Sequence, residues 1–184
     1  SGIDGSARWV RRTWALFVEP APFGNPTPEA KQSLRRKLHQ TLRRVTHDFD
    51  RFEFNTIVSG LMELLNEMYK AREAGVGGTP EWAEAQDLYL RMMAPVTPHI
   101  SEELWQRLGK PYSIHTQPWP QVDEEATREE MLTLPVQVNG KLRDRIVVPV
   151  GTGEAEVRLA ALAAEGVQRH LEGRAPKKVI IVPG

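Results

Sequence analysis

Seven arginines crowd the first 44 residues: Arg8, Arg11 and Arg12, then Arg35, Arg36, Arg43 and Arg44. A guanidinium is planar, always charged and able to donate two parallel hydrogen bonds, so such a group suits phosphate. The seven would form a ridge across two helices, although they wrap more than one face and some of them serve only as solvated surface. A second set lies near the other end. Asn139, Lys141, Arg143 and Arg145 surround Asn139-Gly140, and Lys177-Lys178 lead into an apolar run. Amide and cationic side chains at a hairpin tip suit RNA, and the same charges would also keep an exposed edge from aggregating. Arg8, Arg12, Arg36, Arg43 and Arg44 are the expected RNA contacts on the helices, while at the hairpin and before the last apolar run the RNA reading and the edge-protection reading stand level.

Catalytic chemistry finds no residues to carry it. The phosphate-cradling loop, the dinucleotide fingerprint, G-x-S-x-G and H-E-x-x-H are all missing. His99 and Glu102 stand three apart and would make half of a metal site, but no matching half follows. Glu102 and Glu103 are more simply placed near a helix start, where negative charge is favoured. Carboxylate pairs fall in solvated acidic stretches. With no cysteine there is no disulfide, thiolate nucleophile or Cys-based zinc site. No catalytic residue, metal ligand or cofactor is expected in this chain.

The elements that position the basic residues can be read from spacing. Trp9, Val10, Thr13, Trp14 and Phe17 mark one helix face over residues 6–19. A breaker-rich loop over residues 20–26 precedes Thr27-Pro28, a cap followed by proline at the first helical position. Leu34, Leu38, Leu42, Val45, Phe49 and Phe52 then form a long apolar stripe, with Lys31, Arg35, Arg36, Lys37, Arg43 and Arg44 on its flanks. A third helix is expected from a cap at Asn55 to before Gly75, a fourth from Thr79-Pro80 to Pro95, and a fifth from Thr97-Pro98. Residues 111–123, with three prolines, read as an ordered connector, and Asp123–Met131 as one short acidic helix. Val136 and Val138 alternate before Asn139-Gly140, a two-residue hairpin turn, with a second strand over Arg145–Val150. A helix through Glu154, Val157, Leu159 and Leu162 and an apolar strand over Val179–Val182 complete the pattern. The fold class is mainly α: a helical bundle over residues 1–120 and a small α+β domain with a β-hairpin over residues 121–184.

Net charge is zero over 184 residues, yet its distribution is uneven. Residues 1–47 hold nine Lys/Arg against three Asp/Glu, residues 48–132 seven against sixteen, and residues 133–184 eight against five. Two basic ends flank an acidic middle, so each end can face phosphate while the middle stays solvated. No apolar run approaches the roughly 20 residues needed to span a bilayer, and no leader-like segment opens the chain. A cytoplasmic location is expected. The first residue is not Met and a strand stands at the last residues, from which a longer parent chain is expected.

Several strings together resemble one family. Thr46-His47-Asp48, Phe54-Asn55-Thr56, Leu61-Met62-Glu63-Leu64 and Asn66 look like the anticodon-binding bundle of class I aminoacyl-tRNA synthetases. The stretch from Met93-Ala94-Pro95 through Thr97-Pro98-His99-Ile100-Ser101-Glu102-Glu103-Leu104-Trp105 matches the leucyl, isoleucyl, valyl and methionyl branch. Val136-Gln137-Val138-Asn139-Gly140-Lys141-Leu142-Arg143 and Lys177-Lys178-Val179-Ile180-Ile181-Val182-Pro183-Gly184 resemble the C-terminal domain of bacterial-type leucyl-tRNA synthetases and argue against the isoleucyl and valyl sisters. The resemblance covers essentially the whole chain. It implies a parent that joins leucine to tRNA-Leu with ATP and Mg in a catalytic domain, which lies with an editing domain outside this chain, since neither His-x-Gly-His nor Lys-Met-Ser-Lys-Ser occurs. It implies that the chain itself is inactive and holds tRNA, with no membrane or DNA partner, through Asn139, Lys141, Arg143, Lys177 and Lys178 in its second domain. The alternative is a helical interaction module that docks another protein domain.

Overall fold

The computed structural model describes residues 2–128, 131–171, 176 and 178–181. The chain divides into two compact units, Ser1–Arg128 and Glu129–Gly184, where the sequence pattern sets the domain boundary after residue 120. Among the described residues there are seven α-helices and one two-stranded antiparallel sheet.

The first unit is a five-helix bundle. Helix α1 (Gly2–Val18) starts earlier than the apolar pattern suggests. It buries Trp9, Thr13, Leu16 and Phe17, three of which meet Tyr89 of α4 (Pro80–Met93). Two of these side chains are polar, and both are satisfied by one group. The Trp9 indole N–H donates to the fully buried Tyr89 hydroxyl at 2.8 Å, and the Thr13 hydroxyl lies 3.1 Å from the same oxygen. Burial pushes the Tyr89 phenol well above its ordinary pKa.

Helix α2 (Pro28–Asp50) starts as the sequence predicts. The Thr27 hydroxyl accepts from the Ala30 amide at 3.2 Å, with Pro28 at the first helical position. Leu34, Leu38, Leu42 and Val45 have no exposed surface. The stripe stops at Phe49, however, and Phe52 is 76 % exposed. The reason is backbone geometry. The Phe52 amide donates to Phe49 O at 3.1 Å and the Glu53 amide to Asp48 O at 2.9 Å, the two reverse bonds of a Schellman ending. Phe52 takes the left-handed conformation this ending needs, with φ of 58°. Because the chain turns there, α3 (Phe54–Glu73) starts one residue before Asn55 and is capped at Glu53, not at Asn55.

Three glycines let the loop after α1 reach the end of α3. The Gly24 amide donates to Gly75 O at 2.8 Å, and a Cβ on Gly77 would overlap the Ala21 carbonyl. Thr79 caps α4 by accepting from the Trp82 amide at 3.2 Å. Helix α5 (Pro98–Arg107) follows, and Trp105 anchors the connector by donating to Pro111 O at 2.7 Å. Residues 121–128 form a turn where a short helix was expected. The Asp123 carboxylate accepts from the Glu125 and Ala126 amides at 3.0 and 3.3 Å, a local bond that competes with a helical ladder.

In the second unit, β1 (Met131–Val138) and β2 (Lys141–Pro149) form the expected hairpin, and β2 starts right after the turn. Asn139 and Gly140 both have positive φ, 53° and 75°, as a type I′ turn requires. Val136 pairs with Asp144 and Gln137 with Leu142, so Arg143 is an extra, bulged residue. Ile146 and Val148 are buried, as is Val167 of α7 (Glu165–Leu171). The Asp144 carboxylate accepts from the Gly166 and Arg145 amides, both at 2.8 Å, which ties α7 to the strand and holds the acid below its ordinary range. Helix α6 (Glu154–Ala163) has no buried residue. The strand expected at 179–182 is not found over residues 179–181, and Val182 lies outside the described residues. An apolar run becomes a strand only where a neighbour completes its hydrogen bonds, and the described sheet holds β1 and β2 alone.

The Tyr89 hydroxyl makes its own prediction. Tyr89→Phe removes one oxygen but leaves the buried indole N–H of Trp9 without its partner, a loss of about 1–3 kcal/mol. Urea unfolding should show a lower midpoint with an unchanged slope.

Candidate nucleic-acid interface

The cations of α2 are drawn inward by the acidic middle of the chain. Arg35 bonds Glu84 at 2.8 Å and Asp123 at 2.8 Å, and both partners raise its pKa, Glu84 first. Lys31 pairs with Glu81 at 3.7 Å and Lys37 with Glu63 at 2.9 Å. Arg43 pairs with Glu124 and donates to the Thr127 hydroxyl at 2.7 Å. Arg44 meets Glu63 at 3.2 Å and Asp48 at 3.7 Å. Lys37, and then Arg44, hold Glu63 below its ordinary range against the opposing effect of burial. Of the expected RNA contacts on α2, Arg43 and Arg44 are thus neutralised within the molecule. Arg36 has no acidic partner among the described residues, and its Nε is enclosed without a hydrogen bond.

On α1 the situation is reversed. Arg8, Arg11 and Arg12 are exposed on the side away from the core, with no ion pair among the described residues. Arg12 lies over the Tyr69 ring, 4.9 Å from its centre, and the Tyr69 hydroxyl donates to Arg12 O at 2.8 Å. Arg72 covers the same ring at 4.9 Å while bonding Glu19 at 2.9 Å. Arg72 lies in the acidic middle of the sequence, within residues 48–132. Only the packing of α3 on α1 brings it beside Arg12.

Three polar groups hold the 121–128 segment on α2. His39 is buried, and its Nδ1 accepts from the Asp123 amide at 3.1 Å. Its Nε2 therefore carries the proton and donates to Glu84 at 3.1 Å. Gln40 donates to Thr127 O at 3.1 Å. No sequence pattern marks His39 out, since its partners lie about 45 and 84 residues away.

In the second unit, Asn139 and Lys141 flank the hairpin tip and are exposed. Arg143 is half-buried at the bulge, with its Nε unbonded. Lys178 is exposed in an irregular segment, and Lys177 lies outside the described residues. The structure thus brings Asn139 and Lys141 together and records no contact that joins Lys178 to them.

Reaction chemistry has no assembled site among the described residues. Glu102 does not meet His99 as a metal pair; it accepts the Ser113 hydroxyl and the Ile114 amide, the latter at 3.1 Å, and so fixes the connector. No group of three His, Cys, Asp or Glu capable of holding a metal occurs among the described residues. A shallow groove lined by Ile3, Ala7, Val10, Val58 and Val96 carries one cation, Arg11, and no nucleophile beyond Ser6 and Thr97 hydroxyls.

The His39 bond, followed by the Arg35 pair, lowers Glu84 from 4.5 to about 2 despite burial. A carboxylate so depressed contributes stability above its unfolded value and loses it as pH falls towards the folded one. Glu84→Gln should lower stability at pH 7 and flatten its decline between about 4.5 and 2, as read from urea unfolding at stepped pH.

Comparison with known proteins places this geometry. A family model for the anticodon-binding domain of tRNA ligase matches residues 31–159. The leucine–tRNA ligase of Dehalococcoides mccartyi is 46 % identical over 184 residues, covering all of this chain and 23 % of that protein. The leucine–tRNA ligase of Deinococcus radiodurans is 44 % identical over 183 residues, covering 100 % of this chain and 22 % of that one. Among solved structures, the agnB2 LeuRS of Agrobacterium radiobacter K84, in a ternary complex with tRNA and LeuAMS, matches with a TM-score of 0.65 and 29 % identity. That match covers 97 % of this chain and 24 % of the other. The chain spans less than a quarter of the length of the curated relatives it matches. With the family model matched over well more than half of its residues, the chain belongs to the anticodon-binding domain family of tRNA ligases.

Proposed function

We propose that this chain is the tRNA-holding part of a leucine–tRNA ligase. The observation that carries the reading is the unequal fate of the arginines: Arg43 and Arg44 are neutralised by acids, whereas Arg8 and Arg12 on α1 and Arg36 on α2 have no acidic partner among the described residues. Unneutralised guanidiniums on a domain of the anticodon-binding family are suited to a polyanion. The 46 % identity to leucine–tRNA ligases supports leucine as the amino acid and tRNA-Leu as the RNA. Phosphate contacts by Arg8, Arg12 and Arg36 would orient the tRNA, with Arg43 and Arg44 secondary. Asn139, Lys141, Arg143, Lys177 and Lys178 would add contacts from the second unit.

The whole ligase would join leucine to tRNA with ATP and Mg. The described residues here do not fit that chemistry, having neither a metal-holding cluster nor a phosphate-cradling loop, so no step of the reaction is assigned to them. The other partners would be the catalytic and editing parts of the same chain, at work in the cytoplasm. Among the described residues no helix is long and apolar enough to cross a membrane. The rival reading, a module whose only task is to dock protein, is not favoured, because it leaves the unpaired arginines of α1 without a role.

Binding of the chain to tRNA-Leu, and to a tRNA without a long variable arm, tests this at stepped salt. Affinity should fall steeply with salt, and each phosphate contact removed should cut the log–log slope by roughly 0.7–0.9. Arg8→Ala with Arg12→Ala should reduce the slope, whereas Arg43→Ala should mainly lower thermal stability through the 121–128 segment. A flat salt response in the unaltered chain would sink the reading.

A further inference from the structure

Where residues 124–127 lie on α2, the helix side chains act as donors. The Arg43 guanidinium meets the Glu124 carboxylate and donates to the Thr127 hydroxyl at 2.7 Å, and the Gln40 amide donates to Thr127 O at 3.1 Å. To these donors the segment offers one anionic oxygen and two neutral ones. Arg36 stands one turn before Gln40 and two turns before Arg43, so the three share one face of the helix. No acid holds Arg36 among the described residues, and its Nε is enclosed with no acceptor. The row of donors thus continues beyond the acceptors that the segment supplies.

The segment is held unevenly. Asp123, just before it, is anchored: its amide bonds the buried His39, and its carboxylate bonds Arg35, which Glu84 also holds. The next pair is open to water, with 52 % of the Arg43 side chain and 68 % of the Glu124 side chain exposed. An ion pair so exposed contributes little, so Glu124 can leave while Asp123 stays. Thr127, though buried, bonds α2 through the two hydrogen bonds given above, and an oxygen-rich ligand can replace both.

We propose that Arg36, Gln40 and Arg43 form a second surface for an RNA backbone, and that residues 124–127 cover it as a built-in competitor until RNA displaces them. The proposal rests on the tRNA-binding reading above and extends it to a surface that is closed in the free chain. The acceptors already seated there select the occupant. A ribose–phosphate chain presents the same two kinds of oxygen, charged on its phosphates and neutral on its 2′-hydroxyls. A guanidinium passes from a carboxylate to a phosphate with its parallel donors still matched. Arg36 gives a longer polyanion a contact that the segment lacks, which sets the direction of the exchange.

The test measures binding of a tRNA-Leu transcript at stepped salt by the unaltered chain, Glu124→Gln and Glu125→Gln, each with and without Arg43→Ala. Glu124→Gln should tighten binding roughly two- to five-fold, the span of an exposed ion pair. Arg43→Ala should abolish that gain and cut the log–log slope of the Glu124→Gln chain by roughly 0.7–0.9. Glu125→Gln removes the same charge one residue away, from a carboxylate bonded to Arg128 at 2.9 Å, and should not reproduce the gain. In the unaltered chain, amide hydrogen exchange over residues 124–127 should quicken when the transcript is added. An equal gain in both glutamine variants, no gain in Glu124→Gln, or exchange that slows or stays the same overturns the proposal. With Arg8→Ala and Arg12→Ala still weakening binding, any of these results leaves the RNA reading intact; failure of the unaltered chain to bind overturns both.

Discussion

One imidazole constrains how the first unit closes. His39 sits in the middle of α2, the helix against which α3 and α4 both pack, and it can serve its neighbours in only one tautomer. A backbone amide from the 121–128 segment occupies Nδ1, which leaves Nε2 to face Glu84 on α4. Arg35, one turn earlier, spans the same two neighbours and closes the ring of charge. A buried polar network is stable only when every member is satisfied, and this one meets that condition only with α2, α4 and the segment after the connector in register. The apolar core beneath it is non-directional, so the polar ring is what selects one docking of that segment over its neighbours.

The same ring changes the meaning of the charge pattern. A basic start and an acidic middle look like two surfaces, one for a polyanion and one for solvent. In the folded unit they are largely each other's partners, since Glu63, Glu81, Glu84, Asp123 and Glu124 take up five cations of α2. What remains for an external ligand is a smaller set, concentrated on α1. Exposed ion pairs contribute little to stability individually, so the pairing matters more for where positive potential survives than for the strength of the fold.

The sequence disclosed most of the architecture. Caps at Thr27 and Thr79, prolines at helix starts and the Asn139-Gly140 turn are local signals with local causes, and each holds in the structure. The departures have longer-range causes. Phe52 continues the apolar spacing of α2, yet the helix ends beneath it, because the turn into α3 is set by carbonyls of the preceding turn and not by the ring. Residues 179–181 have strand composition without a strand partner. Residue types were legible and pairing was not: nothing in spacing separates Arg43, held by Glu124, from Arg36, which no acid holds among the described residues. Arg72 and Tyr69 join the α1 face only through tertiary packing.

The contact between the loop after α1 and the end of α3 is made by backbone alone. Gly24 meets Gly75, and Gly77 lies against the Ala21 carbonyl, so closely that a Cβ at any of the three would strike main-chain atoms. Every amino acid other than glycine carries that carbon. For these positions the familiar gradation between mild and drastic replacement collapses, and a change to alanine already crosses the same threshold as a change to tryptophan. Over evolutionary time the three codons can drift at their silent third base, while any coding change must be matched by a shift of the opposing chain. The path of the loop is thereby inherited as a unit with the end of α3.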